Sequence, residues 1–449
     1  MKRTGINALG YLLGSLGGGV RGYELGVVAA ALLFAVPDLH LSPVITGAVV
    51  SAALLGSIFG ALAVGPVADI VGRKRVIAAA ALIFSLGILG AALAPDVAVL
   101  ISSRLVLGVA VGIATVIIPI YIAEIAPAAG RGAFTGLFQI MIYAGVLGSS
   151  IVGTVLAPYG AWRWMFAIGL VPALLMLGGS FFLPESPRWL VRTGNEVAAR
   201  AVLARFRDAS SVDEEINGIK NLLQKENIRT DFRVALRSSR LRKLVIVGSG
   251  LGILQQLIGI NAVTYYAPAV LTTIGFSVQA AILANVGFSA LGLLMTIIMA
   301  AFIVDRMGRR IPLMVGALAM AFSMAVLGLV FGASPDIAHS GYVAIACLAV
   351  FQISFALSWG GIVWIVLGEM FPLSIRGTAM GIAVFMAEAT SVIVGLIFPV
   401  LFKRGGSIIF IGFALMGVLA FFWALLLLPE TKQRSLEQIE MATLFDEKQ

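Results

Sequence analysis

The feature that most constrains the fold is a series of twelve apolar stretches, six on each side of a polar segment that runs from about Glu185 to Lys243. About 20 apolar residues suffice for one helix to cross a bilayer. Sixty per cent of the residues are hydrophobic and only 12% are charged, which excludes an ordinary soluble domain. The sequence therefore predicts an all-α membrane protein with twelve transmembrane helices. We place their centres near residues 22, 55, 84, 110, 145, 172, 258, 292, 322, 355, 389 and 418.

Several charged motifs occur twice, once in each set of six apolar stretches. Three strings recur in the same order and at nearly the same spacing: Gly65–Lys74 as Ala301–Arg310, Glu124–Arg131 as Glu369–Arg376, and Pro184–Ser186 as Pro429–Thr431. Such a duplication predicts two pseudo-symmetric six-helix bundles, a plan typical of transporters. We expect bundles at 1–190 and 244–430, short cytoplasmic helices in the linker 191–243, and a cytoplasmic helix or tail at 431–449.

The positive charges are distributed unevenly. The net charge is +9, and most of the 31 Lys and Arg residues fall in the termini, the central linker and every second loop. The positive-inside rule then predicts that both termini are cytoplasmic and that the chain is a multi-pass protein of the cell inner membrane. We expect the lipid bilayer as a partner and no nucleic acid. The single cysteine, Cys347, lies in an apolar stretch, so no disulfide framework is predicted.

The duplicated charged residues predict a gate at the cytoplasmic side of the bundles. Carboxylates and arginines at matching helix ends can form two symmetric networks, which close when the gate is shut and break when it opens. Simple anchoring of the topology by charge is the alternative. The network is predicted to comprise Asp69, Arg73, Glu124, Arg131, Glu185 and Arg188 in the first half, and Asp305, Arg309, Glu369, Arg376 and Glu430 in the second.

A family resemblance becomes plain from several further strings. They are Arg104-x-x-x-Gly108, Pro119-x-Tyr121-x-x-Glu124-x-Ala126-Pro127, Pro184-Glu-Ser-Pro-Arg-Trp-Leu190, Gln255-Gln256-x-x-Gly259-x-Asn261-x-x-x-Tyr265-Tyr266-x-Pro268, and Pro429-Glu-Thr-Lys432. In this order the chain resembles a bacterial proton-coupled sugar porter of the major facilitator superfamily, from about Gly17 to Glu437. The resemblance implies the major facilitator fold and a substrate site at mid-membrane.

The resemblance also implies which side chains contact the sugar. The matching positions are Gln139, Gln255, Gln256, Asn261, Tyr265 and Trp364. Amides offer both donors and acceptors, which sugar hydroxyls need. The spacing from Gln255 to Asn261 lets these side chains share one helix face, with a break near Gly259. Hydrogen bonding between helices is the alternative role for any single amide.

Two ionisable residues inside the spans are candidates for proton coupling. Glu24 lies where proton-coupled members of the family usually carry Asp, and Arg104 lies where their arginine pairs with that acid. A carboxylate beside an arginine stays ionised, and it can take up a proton when the pair separates. The alternative is a purely structural ion pair. The proton would be the coupling ion, and we expect no cofactor and no metal.

Four positions depart from the family pattern. Arg21 stands where an aromatic residue is usual, Glu388 where Trp or Asn is usual, Leu293 where a sugar-binding Asn is usual, and Gly361 where a proline is usual. Two charges of opposite sign therefore join the predicted substrate site. Arg21 and Glu388 could pair with each other, could bind a charged substrate, or Glu388 could be a second proton carrier.

We therefore predict a secondary active transporter that carries out proton-coupled symport of a monosaccharide or related polyol by alternating access. We expect a monomer. The alternative is proton-coupled transport, including export, of a charged or zwitterionic compound such as a sugar acid or amino sugar. A sugar sensor is disfavoured by the short segment after Pro429. An enzyme and an ATP-driven pump are disfavoured because the sequence has no nucleophile–base pair, metal cluster or phosphate-binding loop.

Overall fold

The computed structural model describes residues 2–125, 131–206, 209–226, 238–332, 337–371 and 375–428. Within the helices, the side chains of 2–14, 131–136, 209–211, 222–226, 240, 304–305, 337–340 and 376 lie outside the description. The chain forms two compact units, one made of Met1–Leu41 and Ala52–Ile228 and the other of Ser42–Ser51 and Arg229–Gln449.

The regular elements among the described residues are all helices. These helices form twelve spans that are long and apolar enough to cross a membrane. From the N-terminus to the central linker the helices are Lys2–Asp38, Pro43–Val71, Arg73–Ala92, Val97–Ile125, Arg131–Leu156, Trp162–Ala167, Leu170–Phe182, Pro187–Arg192, Glu196–Phe206 and Ala209–Glu226. The later helices are Ser239–Leu257, Ile260–Thr273, Val278–Ile298, Val304–Met307, Arg310–Gly332, Ile337–Leu357, Ile362–Met370, Arg376–Arg404 and Gly406–Leu427. The predicted all-α, twelve-span fold is confirmed.

Glycines bring the spans of the first unit into backbone contact. A Cβ at Gly22 of the first span would collide with the backbone carbonyl of Ile142 in the fifth. A Cβ at Gly108 of the fourth span would collide with the carbonyl of Ala53 in the second. Lipid provides no hydrophobic force between helices, so close packing of small residues is what holds such spans together. Packing thus accounts for these glycines.

Two spans of the second unit are broken. The seventh span is interrupted at Gly259, which has φ 102° and separates helix Ser239–Leu257 from helix Ile260–Thr273. Only glycine adopts this conformation readily, and a Cβ there would also lie 2.7 Å from the Phe413 ring. The sequence predicted this break.

The tenth span is interrupted at Ser358–Gly361, between helices Ile337–Leu357 and Ile362–Met370. The Trp359 side chain is fully buried, and its Nε1–H donates to the backbone carbonyl of Leu313 in the ninth span at 2.9 Å. Gly361 packs against the side chain of Met299. That methionine begins a π-helical turn, Met299–Ile303, at the end of the eighth span. The break is therefore held by the eighth and ninth spans.

Three helices follow the sixth span, in and just before the linker where short helices were expected. Ser186 caps the first of them, Pro187–Arg192, because its hydroxyl accepts from the Trp189 N–H at 3.2 Å. A small apolar core joins the three helices, and its members are Leu190, Val191, Ala199, Val202, Leu203, Val212 and Ile216. The cytoplasmic helix or tail predicted at 431–449 lies outside the described residues.

Candidate functional site

An ion pair is buried between the first and fourth spans. Arg104 Nη2 lies 2.9 Å from Glu24 Oε1, and the two side chains are 0% and 3% exposed. A lone charge at this depth is costly, so each member of the pair compensates the charge of the other. The structure thus brings together the two residues predicted for proton coupling.

The two unexpected charges lie in different units. Arg21, one helical turn before Glu24, is half-buried, and its Nη1–H donates to the Thr115 hydroxyl of the fourth span at 2.6 Å. Thr115 in turn donates to the carbonyl of Val111 at 2.8 Å. Glu388 is half-buried on helix Arg376–Arg404 of the second unit. Each charged side chain is therefore accessible in part within its own unit.

Three amides of the seventh span form one chain of hydrogen bonds. Asn261 Nδ2–H donates to Gln256 Oε1 at 3.1 Å, and Gln256 Nε2–H donates to Gln255 Oε1 at 3.2 Å. Gln255 Nε2–H then donates to the backbone carbonyl of Trp359 at 2.6 Å. A carbonyl can only accept, so the carbonyl at the end of the chain sets the orientation of all three amides.

The amides differ in accessibility. Gln255 is 2% exposed, whereas Gln256 and Asn261 are half-buried. After the chain is formed, Asn261 still has its carbonyl oxygen, and both half-buried amides keep a second N–H. These groups can accept from a hydroxyl and donate to it. The break at Gly259 permits this arrangement, because it turns the helix between the two glutamines and Asn261.

The other predicted substrate residues are placed separately. Gln139 is half-buried on the fifth span, and its amide makes no hydrogen bond to any described residue. Trp364 is half-buried just after the tenth-span break, and Tyr265 is buried on the same helix as Asn261. Leu293, where the family has an amide, is half-buried on the eighth span.

A charge cluster joins the loop between the second and third spans to the end of the fourth. The Arg73 guanidinium, 9% exposed, contacts both oxygens of Glu124, with Nε to Oε2 at 3.1 Å and Nη2 to Oε1 at 3.2 Å. The same side chain contacts Asp69 at 3.2 Å. A bidentate contact of this kind is strong and orients both groups.

Glu185 closes the cluster from the end of the sixth span. Its Oε1 accepts from the backbone N–H of Arg73 at 2.8 Å and of Lys74 at 3.2 Å. These amides begin helix Arg73–Ala92, where a carboxylate interacts favourably with the helix dipole. Gly72, with φ 98°, leaves room for the carboxylate, since a Cβ there would collide with Glu185 Oε2.

The second unit repeats the central contact. Arg309 Nη2 lies 2.8 Å from Glu369 Oε1, and its Nε lies 3.1 Å from Oε2. Arg310 donates to the carbonyls of Ala424 and Leu425, much as Lys74 donates to that of Phe181. Of the remaining predicted members, Arg188 is half-buried and takes part in contacts. The side chains of Arg131, Asp305 and Arg376, and the whole of Glu430, lie outside the described residues.

Some participants were not predicted from the sequence. Arg192 Nη1 lies 2.7 Å from Asp69 Oδ1, and Trp189 Nε1–H donates to the Asp69 carbonyl at 3.0 Å. Trp189 belongs to the string Pro184–Leu190, so that string could have been used to predict its part in the cluster. Nothing in the sequence marked Arg192, or the Trp359 carbonyl that receives the amide chain.

Comparison with known proteins finds sugar transporters that match nearly the whole chain. A model of the sugar (and other) transporter family matches residues 11–442. The glucose transporter GlcP of Staphylococcus epidermidis is 38% identical over 431 residues, which cover 96% of this chain and 96% of the relative. The galactose-proton symporter of Escherichia coli is 35% identical over 432 residues, which cover 95% and 92%.

A solved structure gives the same result for the fold. The xylose transporter XylE from E. coli, in a partially occluded inward open conformation, is 30% identical with a TM-score of 0.83. The match covers 95% of this chain and 98% of the XylE chain. The chain is therefore a multi-pass membrane protein and belongs to the sugar porter family of the major facilitator superfamily.

Proposed function

We propose that this protein carries a monosaccharide or related polyol across the membrane together with a proton, by alternating access. The family supports a sugar as the substrate class, and the galactose-proton symporter supports coupling to protons. The observation that carries the proposal is the ion pair between Glu24 and Arg104, which are 3% and 0% exposed with their charged groups 2.9 Å apart.

Glu24 carries the proton in this proposal. While Arg104 is adjacent, the carboxylate remains ionised. When a change in the first unit separates the pair, an isolated carboxylate at membrane depth is costly, and binding a proton removes that cost. Arg104 thus controls when the proton is bound. No cofactor is needed besides the proton.

The amides of the second unit hold the sugar in this proposal. Gln256 and Asn261 present free donors and one acceptor to a hydroxyl, and Trp364 offers a face for the ring. Gln139, Tyr265 and Gln255 complete the proposed set. The family resemblance and the half-buried state of Gln256, Asn261, Gln139 and Trp364 support this assignment.

The two charge clusters act as a gate in this proposal. The Arg73–Glu124 and Arg309–Glu369 contacts are duplicated in sequence and in geometry, which supports a shared role. Intact clusters would stabilise the outward-open state, and sugar and proton binding would favour the change that breaks them. With both termini cytoplasmic, as the distribution of Lys and Arg supports, the clusters lie on the cytoplasmic face of the inner membrane. We propose a monomer as the working unit.

Uptake into proteoliposomes tests this function. The panel comprises D-glucose, D-xylose, D-galactose, polyols and sugar acids, each with and without an inward proton gradient. We expect accumulation of a neutral sugar that requires the gradient, and Glu24→Gln should abolish accumulation while permitting equilibration. Asp38→Asn is the matched control, because Asp38 is an acid of the same helix with its own arginine, Arg163 at 2.8 Å, but is 48% exposed. Accumulation that ignores the gradient contradicts symport.

A second candidate is transport of a charged or zwitterionic compound, and Arg21 and Glu388 favour it. Both are half-buried charges inside spans. Arg21 would bind a carboxylate and Glu388 an ammonium group. If Arg21→Ala or Glu388→Gln changes which substrate is preferred, this candidate is supported. If the substitutions change only the rate, pairing of the two residues or a second proton-carrier role for Glu388 is favoured.

A further inference from the structure

The fourth span has a point of reduced stiffness in its second half. Helix Val97–Ile125 carries Pro119 in its interior. Proline has no N–H, so the carbonyl of Thr115, four residues earlier, lacks its usual helical donor, and the proline ring crowds that carbonyl. Thr115 also donates its hydroxyl to the carbonyl of Val111 at 2.8 Å, and a bond of this kind often bends a helix. We call the turn from Thr115 to Pro119 the hinge.

The first span holds this hinge through a charged side chain. Arg21 Nη1–H donates to the Thr115 hydroxyl at 2.6 Å. A hydrogen bond from a charged donor is roughly twice as strong as a neutral one. Because Glu24 lies one helical turn after Arg21, the first span contacts the fourth both at the buried ion pair and at the hinge. A separation of the ion pair would therefore leave the hinge attached to the first span.

The segment after the hinge holds the end of the sixth span. Tyr121, which is 0% exposed, donates its hydroxyl to the carbonyl of Pro184 at 2.8 Å. The next residue is Glu185, whose carboxylate accepts from the backbone N–H of Arg73. Glu124, one turn after Tyr121, contacts the Arg73 guanidinium. The segment after the hinge thus positions two carboxylates of the charge cluster around Arg73.

We propose that Thr115 and Tyr121 are positioning residues of this cluster. Thr115 braces the hinge against the first span through its bond to Arg21. Tyr121 fixes the chain just before Glu185, so that bending at the hinge moves that carboxylate. The proposal rests on the proposed function for the role of the cluster as a gate. The brace is a property of the protein without sugar, so the two can be tested separately.

The experiment is hydrogen–deuterium exchange of the segments 111–118 and 183–190 in the purified full-length protein in lipid nanodiscs, without sugar. Thr115→Val replaces the hydroxyl by a methyl group. Exchange should rise by about fivefold or more in both segments, because losing a hydrogen bond to a charged group favours local opening. Tyr121→Phe should raise exchange in 183–190 and leave 111–118 unchanged. This order of effects is expected only if the hinge lies upstream of the Tyr121 contact.

Two controls separate the brace from the internal bond of Thr115. Thr154 of the fifth span is also half-buried and donates to a carbonyl four residues earlier, that of Ser150, at 3.0 Å. It makes no hydrogen bond to another span within the described part of the chain, so Thr154→Val should leave exchange in both segments unchanged. Thr115→Ser keeps the hydroxyl and should bring exchange back to within about twofold of the unmodified protein.

Binding and turnover should also separate. D-glucose, D-xylose and D-galactose are the probes, and their equilibrium binding and uptake are measured in the same variants. Thr115→Val should change the dissociation constant of the transported sugar by less than about threefold and lower turnover by about fivefold or more, because it alters the gate and not the sugar contacts. Thr115→Ser should restore turnover. A purely structural role would not produce this split with rescue by serine.

Unchanged exchange in 111–118 of Thr115→Val would overturn the brace, and a rise there without a rise in 183–190 would overturn its connection to the cluster. Should Thr115→Val not fold, Arg21→Met removes the donor of the same bond and should raise exchange in 111–118 equally. If Arg21→Met changes substrate choice and leaves exchange unchanged, Arg21 is a substrate ligand and the brace is refuted. If the unmodified protein transports no sugar, the proposed function fails, while exchange without sugar still decides on the brace.

Discussion

Two ion pairs of this protein have nearly the same contact distance and very different burial, which permits a quantitative prediction. Glu24–Arg104 has a contact of 2.9 Å with side chains 3% and 0% exposed. Asp38–Arg163 has a contact of 2.8 Å with side chains 48% and 41% exposed. Both pairs include an acid of the first span, so they share a helix and differ chiefly in access to water.

Removing one member of the buried pair leaves an uncompensated charge, which costs about 3–5 kcal/mol of unfolding free energy. Removing both members leaves no lone charge. If Glu24→Gln with Arg104→Met costs no more than either single change, the coupling energy is then about 3–5 kcal/mol. For the exposed pair, solvent screening limits the coupling to about 0.2–1 kcal/mol.

The assay is a double-mutant cycle for each pair, with the free energy of unfolding measured by steric trapping in bicelles, a method that keeps the membrane protein at equilibrium. The exposed cycle, Asp38→Asn with Arg163→Met, serves as the internal reference. We expect the two coupling energies to differ by at least about 2 kcal/mol. Equal coupling energies would refute the argument that burial makes the Glu24–Arg104 pair special.

Three further substitutions test the local geometry. Gly72→Ala should lower the free energy of unfolding by about 1–3 kcal/mol and slow uptake, because the φ of 98° suits only glycine and the new Cβ would displace Glu185. Gly65→Ala is the control, since the space around its Cβ is open. Equal thermal stability of the two variants would contradict the reasoning. Gly259→Ala should cost a similar amount, since φ is 102° and the Phe413 ring lies 2.7 Å from the new Cβ, and unchanged thermal unfolding would contradict it. Glu185→Gln should lower stability by about 1 kcal/mol through a weaker interaction with the helix start, and a loss of zero at low salt would argue against capping.

Much of the fold could be predicted because its signals are local. Each span is a run of apolar residues, and the break at Gly259 is signalled by a glycine that lies between Gln256 and Asn261 in the sequence. The duplicated strings predicted that the Arg73–Glu124 contact would have a counterpart, and Arg309–Glu369 has the same bidentate geometry. These features depend on spacing within one segment or on repetition between halves.

The contacts that could not be predicted depend on backbone positions far apart in the chain. The Gln255 bond to Trp359 requires that the tenth span be interrupted where the seventh passes it, and a carbonyl carries no signal in the sequence. The Arg192–Asp69 contact requires the short helix Pro187–Arg192 to lie beside the second span. The placement of Arg21 against Thr115 likewise depends on the packing of two spans.

The most direct test of the central claim is the proton itself. De-energised proteoliposomes containing the protein are placed in a weakly buffered medium, and the external pH is followed while the preferred sugar is added outside. Symport predicts that the medium becomes alkaline as protons enter with the sugar, and that Glu24→Gln takes up sugar without this change. Sugar uptake by the unmodified protein with a constant external pH would contradict the account.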